Sequence, residues 1–312
     1  MTKPTILFMG TPEFAIHSLD VLLRHDYPII GVVTQPDRPK GRGRTPSPSP
    51  VKVFAENHDI PILQPDRVKS DDFIDTIRNI APEMVIVAAF GQILPKEIIE
   101  VPKWGALNVH PSLLPKYRGA APINWAIIRG EKSTGVTIML MDEGMDTGEI
   151  LAQEETMIGP EETFGELSNR LAITGASLLL RTVETIIRGN IGKTPQDSEL
   201  SSYAPRLNKD DCRIPWNSDV HHIVNLIRGL SPEPSAHTFL AGKLLKIFRA
   251  TCSEEPVTEQ AGSICGKTDS GLKVAAKNGY VFITDVQMEN KKRMSVHDFL
   301  RGFRIFPGDA LG

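Results

Sequence analysis

Thr5-Ile6-Leu7-Phe8-Met9-Gly10-Thr11-Pro12 decides the fold. Its first five residues form a continuous run of strand length, without the polar alternation of a strand that is wet on one face. Gly10 then turns the chain, Thr11 offers an N-cap hydroxyl, and Pro12 suits a first helical position. That is a strand-turn-helix opening. Equivalent buried runs recur at 29–33, 84–89, 106–109 and 136–140, with helical composition at 71–80 and 121–129. Strands of this kind separated by helices predict an α/β domain with a mostly parallel sheet covered on both faces. The clearest helix spans 163–188. Thr163 and Glu166 form a capping-box pair there, Phe164, Leu167, Leu171, Leu178, Val183 and Ile186 fall near one face, and Gly189 ends it.

A chain of 312 residues is long for one core. The polar, helix-breaking stretch Asn190-Ile191-Gly192-Lys193-Thr194-Pro195-Gln196-Asp197, continued by Ser201-Ser202-Tyr203-Ala204-Pro205, predicts a linker over 190–206 between a domain at 1–189 and another at 207–312. After it come a helix over 220–228 and short strands such as 246–249, 271–275 and 279–283. Short strands with glycine-bearing turns predict a small β-barrel.

Several function classes fall away. Gly10-Thr11-Pro12-Glu13-Phe14-Ala15 lacks the later glycines of a dinucleotide fingerprint and sets a carboxylate where a pyrophosphate would approach. No phosphate-loop string with a following Lys-Ser or Lys-Thr occurs. Cys212, Cys252 and Cys265 are far apart, which predicts reduced thiols and no metal. No run approaches the ~20 apolar residues of a membrane span, so the chain is expected in the cytoplasm, off the membrane and as a monomer. The net charge of −3 conceals local patches: residues 1–189 carry 19 basic against 24 acidic side chains, and 207–312 carry 14 against 12. The basic clusters are Arg38, Lys40, Arg42 and Arg44, then Lys291, Lys292, Arg293, Arg301 and Arg304. Prolines flank the first cluster and glycines lie within it, so that loop is expected to lack internal packing and to need a partner.

The chemistry concentrates in Asn108-Val109-His110-Pro111-Ser112-Leu113-Leu114-Pro115 and Met141-Asp142-Glu143-Gly144-Met145-Asp146-Thr147-Gly148. On an extended strand Asn108 and His110 share a face and converge. Pro111 and Pro115 bracket a rigid turn beside them. Taken singly, Asn108-x-His110 reads as a loop corner and Asp146 as a turn residue. Together a carboxamide, an imidazole and a carboxylate suit acyl transfer through a tetrahedral intermediate.

The string 108–122, with Gly135-Val136-Thr137-Ile138 and 142–148, resembles the formyltransferases that use 10-formyltetrahydrofolate. Met9 to Ala15, Gln35-Pro36-Asp37-Arg38-Pro39 and the long C-terminal region narrow the resemblance to the methionyl-tRNA formyltransferases, over nearly the whole chain. It implies a Rossmann-like first domain, an OB-like second domain that binds tRNA, and two substrates, 10-formyltetrahydrofolate and methionyl initiator tRNA. It makes Asn108 and His110 donors to the formyl oxygen, with Asp146 orienting His110 and helping to move the amine proton. It assigns the folate to Ser112, Leu113, Leu114 and Pro115 and to a wall containing Phe90, Gly91, Ile93 and Leu94. Phe14 matches a position near the methionine side chain, although periodicity alone favours a core residue. Arg38, Lys40, Arg42 and Arg44 would meet the acceptor arm, Arg42 as the discriminating residue, and Lys291, Lys292, Arg293 and Arg301 would meet phosphates. Ser231-Pro232-Glu233-Pro234 departs from the family's frequent Asn-Pro-Trp-Pro, which bears on packing at the domain edge. The rivals are a glycinamide ribonucleotide formyltransferase, a sugar-nucleotide formyltransferase, and a folate- or tRNA-binding module without catalysis.

Overall fold

The computed structural model describes residues 2–40, 45–306 and 309–312. The chain forms two compact units: Met1–Pro122, Thr134–Thr156 and Ser168–Ala204 make unit 1, and Ile123–Ser133, Met157–Leu167 and Pro205–Gly312 make unit 2.

Unit 1 is built on a seven-stranded sheet in the order Ile150–Met157, Ser133–Leu140, Ala106–His110, Met84–Ala88, Ile6–Gly10, Ile29–Val33, Ile62–Leu63. Ile6–Gly10 pairs in parallel with both neighbours, and Met84–Ala88 with Ala106–His110, whereas Ala106–His110 and Ser133–Leu140 are antiparallel. Ile6, Leu7, Phe8 and Met9 are wholly buried. Burial on both faces is the reason that run lacks alternation.

Three local features depart from expectation. The first helix, Glu13–Arg24, has Pro12 rather than Thr11 at its N-cap. The Thr11 hydroxyl instead donates to the Phe90 carbonyl at 3.0 Å and accepts from the Gln35 amide at 3.4 Å, tying three strand ends together. Ile150–Met157 escapes the sequence reading because it is an edge strand whose burial alternates, so half its residues are polar. The flanks of the basic loop do pair: Arg38–Lys40 and Thr45–Ser47 form an antiparallel ladder with Pro39 opposite Pro46. Prolines are tolerated because the ribbon is all edge. Backbone bonding thus joins the two flanks. Arg42 and Arg44 lie outside the described residues.

In unit 2 the antiparallel order is Ala236–Leu240, Lys243–Glu254, Gly279–Met288, Gly271–Ala275, Ile264–Thr268, with Met294–Ser295 added to Gly279–Met288. Leu311 bridges to Leu240 and Ala310 to Ser263, so the last residues connect the two edges of the sheet. Val220–Gly229 packs over it, sharing a core of Ile223, Leu226, Ile227, Leu245, Ile247, Val281 and Ile283. Asn124 donates to the Gly229 carbonyl at 2.8 Å, anchoring the helix from Ile123 onward in the same unit. Cys212, Cys252 and Cys265 are free thiols, each with its pKa raised, chiefly by burial. No helix among the described residues is long and apolar enough to cross a membrane.

The stretch expected as a linker over 190–206 is bonded to unit 1 through much of its length. Thr194 and Ile150 exchange backbone hydrogen bonds at 2.9 Å, and Tyr203–Ala204 pairs in parallel with Arg118–Gly119. Polar, non-periodic composition here marks a segment held by hydrogen bonds rather than by an apolar face.

Candidate active site

Ala106–His110 lies between Met84–Ala88 and Ser133–Leu140, and the pleat sends Asn108 and His110 to one face. Opposite them, Asp142 organises the following loop. Its carboxylate accepts from the Thr147 hydroxyl at 2.7 Å and the Gly144 amide at 3.1 Å. Gly148 lies so close to the Leu140 carbonyl that a Cβ would fall 1.7 Å from its oxygen, so only glycine lets the loop return along the strand. Between them Asp146 takes a left-handed backbone, φ 55°. A short polar side chain is tolerated there, where a branched one is not.

The three polar groups meet at that carboxylate. The Asn108 amide donates to Asp146 Oδ1 at 3.4 Å, His110 Nδ1 lies 3.6 Å from the same oxygen, and the Gly119 backbone N–H donates to Oδ2 at 2.8 Å. His110 Nε2 donates to the Tyr117 carbonyl at 3.1 Å. A carbonyl only accepts, so Nε2 carries a hydrogen and Nδ1 is the nitrogen turned to the carboxylate. His110 is buried, and the Asp146 side chain is 15% exposed. Water is therefore largely excluded from one side of the cluster.

Ser112 is no nucleophile in this arrangement. Its hydroxyl donates to the Lys116 carbonyl at 2.7 Å, closing the turn it belongs to. Two residues that sequence reasoning left without a role build that turn from beneath. The Thr137 hydroxyl donates to the Ser112 carbonyl at 2.6 Å and accepts from the Leu114 amide at 3.1 Å, and Gln153 donates to the Leu114 carbonyl at 2.8 Å. Thr137 was visible as the residue opposite His110 once the two strands are paired. Leu114 is buried, and Leu113 and Pro115 are half-buried.

On the neighbouring loop Phe90 and Leu94 are buried, whereas Ile93 is 55% exposed and Gly91, φ 88°, faces open space. The loop thus sets one exposed aliphatic side chain beside an open glycine, over buried apolar residues. Phe14 is half-buried on the first helix.

The basic residues divide. Arg38 is exposed and donates to Gln35 at 3.3 Å, at a base where Asp37 pairs with Lys52 at 2.7 Å and accepts from Gln64 at 2.8 Å. Those partners, Lys52 foremost, lower the Asp37 pKa. Lys40 belongs to the ladder through its backbone. In unit 2, Arg293 is paired with Asp285 and lies over the Phe248 ring, and Arg301 is paired with Asp298 at 3.3 Å. Lys291 and Lys292 are exposed, with no ion pair among the described residues. No metal-ligating cluster occurs among the described residues.

Residues 3–183 match the model of the formyl transferase family, and residues 206–304 match that of its C-terminal domain. The chain is 57% identical over 312 residues to the methionyl-tRNA formyltransferase of Syntrophus aciditrophicus, covering all of both chains. Among solved structures, HypX from Aquifex aeolicus in complex with tetrahydrofolic acid superposes with a TM-score of 0.64 at 18% identity, over 96% of this chain and 47% of that one. An N-formyltransferase from Helicobacter canadensis, in complex with folinic acid and dTDP-3-aminofucose, gives 0.65 at 20% identity, over 92% of this chain and 100% of that one. These two likenesses concern the fold.

Proposed function

The chain belongs to the methionyl-tRNA formyltransferase family, and from that premise we propose that Asn108, His110 and Asp146 carry the transfer of the formyl group of 10-formyltetrahydrofolate to the α-amine of methionyl initiator tRNA. The observation that carries the assignment is the convergence of Asn108, His110 and the Gly119 amide on the one Asp146 carboxylate.

The folate supplies a formyl carbon already bonded to a nitrogen. Asn108 has two amide hydrogens, one directed at Asp146, and the other donates to the formyl oxygen as the amine adds to the carbon. Asp146, beside His110 Nδ1, accepts the proton that the amine sheds. His110 and Asp146 then return a proton toward the departing folate nitrogen as its bond to the carbon breaks. His110 Nε2 stays on the Tyr117 carbonyl and Nδ1 faces Asp146, so the ring does not turn between the two steps and, contrary to the expectation from the resemblance, His110 moves the proton rather than donating to the formyl oxygen. Phe90, Gly91, Ile93, Leu94 and the Ser112–Pro115 turn hold the folate, and Phe14 meets the methionine side chain. The enzyme works as a monomer in the cytoplasm, where its aminoacylated substrate is made.

The assay supplies 10-formyltetrahydrofolate with methionyl initiator tRNA, glycinamide ribonucleotide or a 4-amino sugar nucleotide. Formylation of the tRNA alone is expected. Preferential formylation of either small amine would overturn the substrate assignment, and the sugar-nucleotide reading has only a likeness of fold behind it. Arg42, whose role rests on the family resemblance, is tested alongside: Arg42→Ala is expected to formylate initiator and elongator methionyl-tRNA alike.

A further inference from the structure

We propose that Gln196 is a positioning residue for Asp146, and that the segment 194–204 is a strap that fixes the reaction site rather than a spacer between domains. The proposal deepens the catalytic assignment of Asp146 and rests on it.

Gln196 uses its whole hydrogen-bonding capacity at this spot. Its Nε2 donates to the Asp146 carbonyl at 2.9 Å and to the Gly148 carbonyl at 2.7 Å. Its Oε1 accepts from Arg118 Nε at 3.1 Å and Nη2 at 2.8 Å. A carboxamide has two donor hydrogens and two acceptor lone pairs, and all four are engaged. Rotating the amide would set its oxygen against two carbonyls and its NH2 against a guanidinium. The orientation is therefore fixed.

Those bonds grip Asp146 from both sides. Arg118 is 3% exposed, and its neighbour Gly119 gives the N–H that holds Asp146 Oδ2. Gln196 thus connects the main chain of Asp146 with the strand that restrains its side chain. Asp146 needs that restraint, because a left-handed backbone at an L-residue is intrinsically disfavoured.

The rest of the strap secures the same strand. The Tyr117 amide donates to Ser202 Oγ at 2.9 Å, the Arg118 amide to the Ser202 carbonyl at 2.8 Å, and the Ala120 amide to the Ala204 carbonyl at 2.9 Å. Gly119 passes so near Ala204 that a Cβ would lie 2.7 Å from its carbonyl oxygen. No atom of Gln196 is needed at the reacting carbon. It acts by keeping the carboxylate in register with Asn108 and His110, and loose support of such a group lowers turnover rather than affinity.

The test measures steady-state formylation by Gln196→Ala and Gln196→Glu in the full chain, each alone and combined with Asp146→Asn. Gln196→Glu keeps the length and the Arg118 contact but replaces both donors with an acceptor. Each single variant is expected to lower kcat about ten- to a hundredfold with KM for either substrate nearly unchanged, while adding less than about twofold to the loss in Asp146→Asn. If Gln196→Ala does not fold, Gln196→Glu decides. A slow Asp146→Asn beside wild-type kcat at position 196, or losses that multiply in full, overturns the strap proposal alone. A wild-type rate in Asp146→Asn overturns the catalytic assignment and this proposal with it.

Discussion

Asn108 and His110 stand two positions apart on one strand, yet their surroundings separate what their removal should do. Asn108 is half-buried and its amide bond to Asp146 is long at 3.4 Å. His110 is buried and holds the Tyr117 carbonyl at 3.1 Å. Asn108→Ala should therefore lower kcat about a hundredfold, the usual cost of one preorganised donor, and leave the melting temperature nearly unchanged. His110→Ala should lose at least as much turnover and also about 1–3 kcal/mol of stability, because a buried acceptor loses its donor. Turnover by stopped assay and denaturant unfolding separate the two, and full activity in either variant removes that residue from the mechanism. Asn108 and His110 were legible as a pair because the pleat period puts them on one face, whereas Asp146 alone reads as a turn residue and joined them only through the family resemblance. The groups that hold them were not. The Gly119 N–H and Tyr117 carbonyl are backbone atoms without a residue identity, and Gln196 sits in a polar stretch that reads as a spacer until its four bonds are seen.

The element best specified by local sequence is the helix Phe164–Ile187, and its cap titrates. The Thr163 amide and hydroxyl donate to Glu166 Oε2 at 2.8 and 2.7 Å, and the Glu166 amide returns to Thr163 Oγ1 at 3.4 Å. The backbone bond from Thr163 is the largest cause that holds the Glu166 pKa below its ordinary value, with the Thr163 hydroxyl and Arg249 adding to it. A carboxylate with a depressed folded pKa stabilises the fold above its unfolded pKa, and that contribution disappears as pH falls through the folded value. Glu166→Gln should thus cost up to about 1 kcal/mol at neutral pH, reduced by solvent screening because the side chain is half exposed. The gap in melting temperature from wild type should close on acidification below the usual glutamate range. A gap of constant size from neutral to acid pH would show that the charge of Glu166 plays no part in the cap. The Thr163–Glu166 cap and the doubly buried strands were readable because each is written in adjacent residues. The edge strand Ile150–Met157 and the ribbon Arg38–Lys40 with Thr45–Ser47 were not, since their ladders join backbones that composition does not mark.

At the scale of the whole molecule, unit 2 includes Ile123–Ser133 and Met157–Leu167, drawn from before the C-terminal stretch. Ile127 and Ile128 are buried there, against Gly229. A chain ending at residue 189 would expose such side chains, at about 1.5–3 kcal/mol each. It should be recovered mainly in aggregates, and a soluble fragment as stable as the full chain would contradict that. Binding of tRNA must also be reasoned at this scale, because a protein of net charge −3 gains nothing from its average field. Affinity has to come from cations that are free to displace counterions from phosphates. Arg293 and Arg301 are already engaged with Asp285 and Asp298, so each would surrender an internal pair to reach a phosphate. Lys291 and Lys292 are exposed with no ion pair among the described residues, and they surrender none. The slope of log affinity for methionyl initiator tRNA against log salt should therefore fall by roughly one unit for each of Lys291→Ala and Lys292→Ala. Arg293→Ala and Arg301→Ala should change it by markedly less. Their carboxylate partners make a further check: Asp285→Asn, which frees Arg293, should steepen the slope and tighten binding at low salt. Filter binding across a salt series measures the five variants beside the wild type, and equal slopes for the lysine and arginine variants would mean that the internal pairs do not govern which cations the tRNA uses.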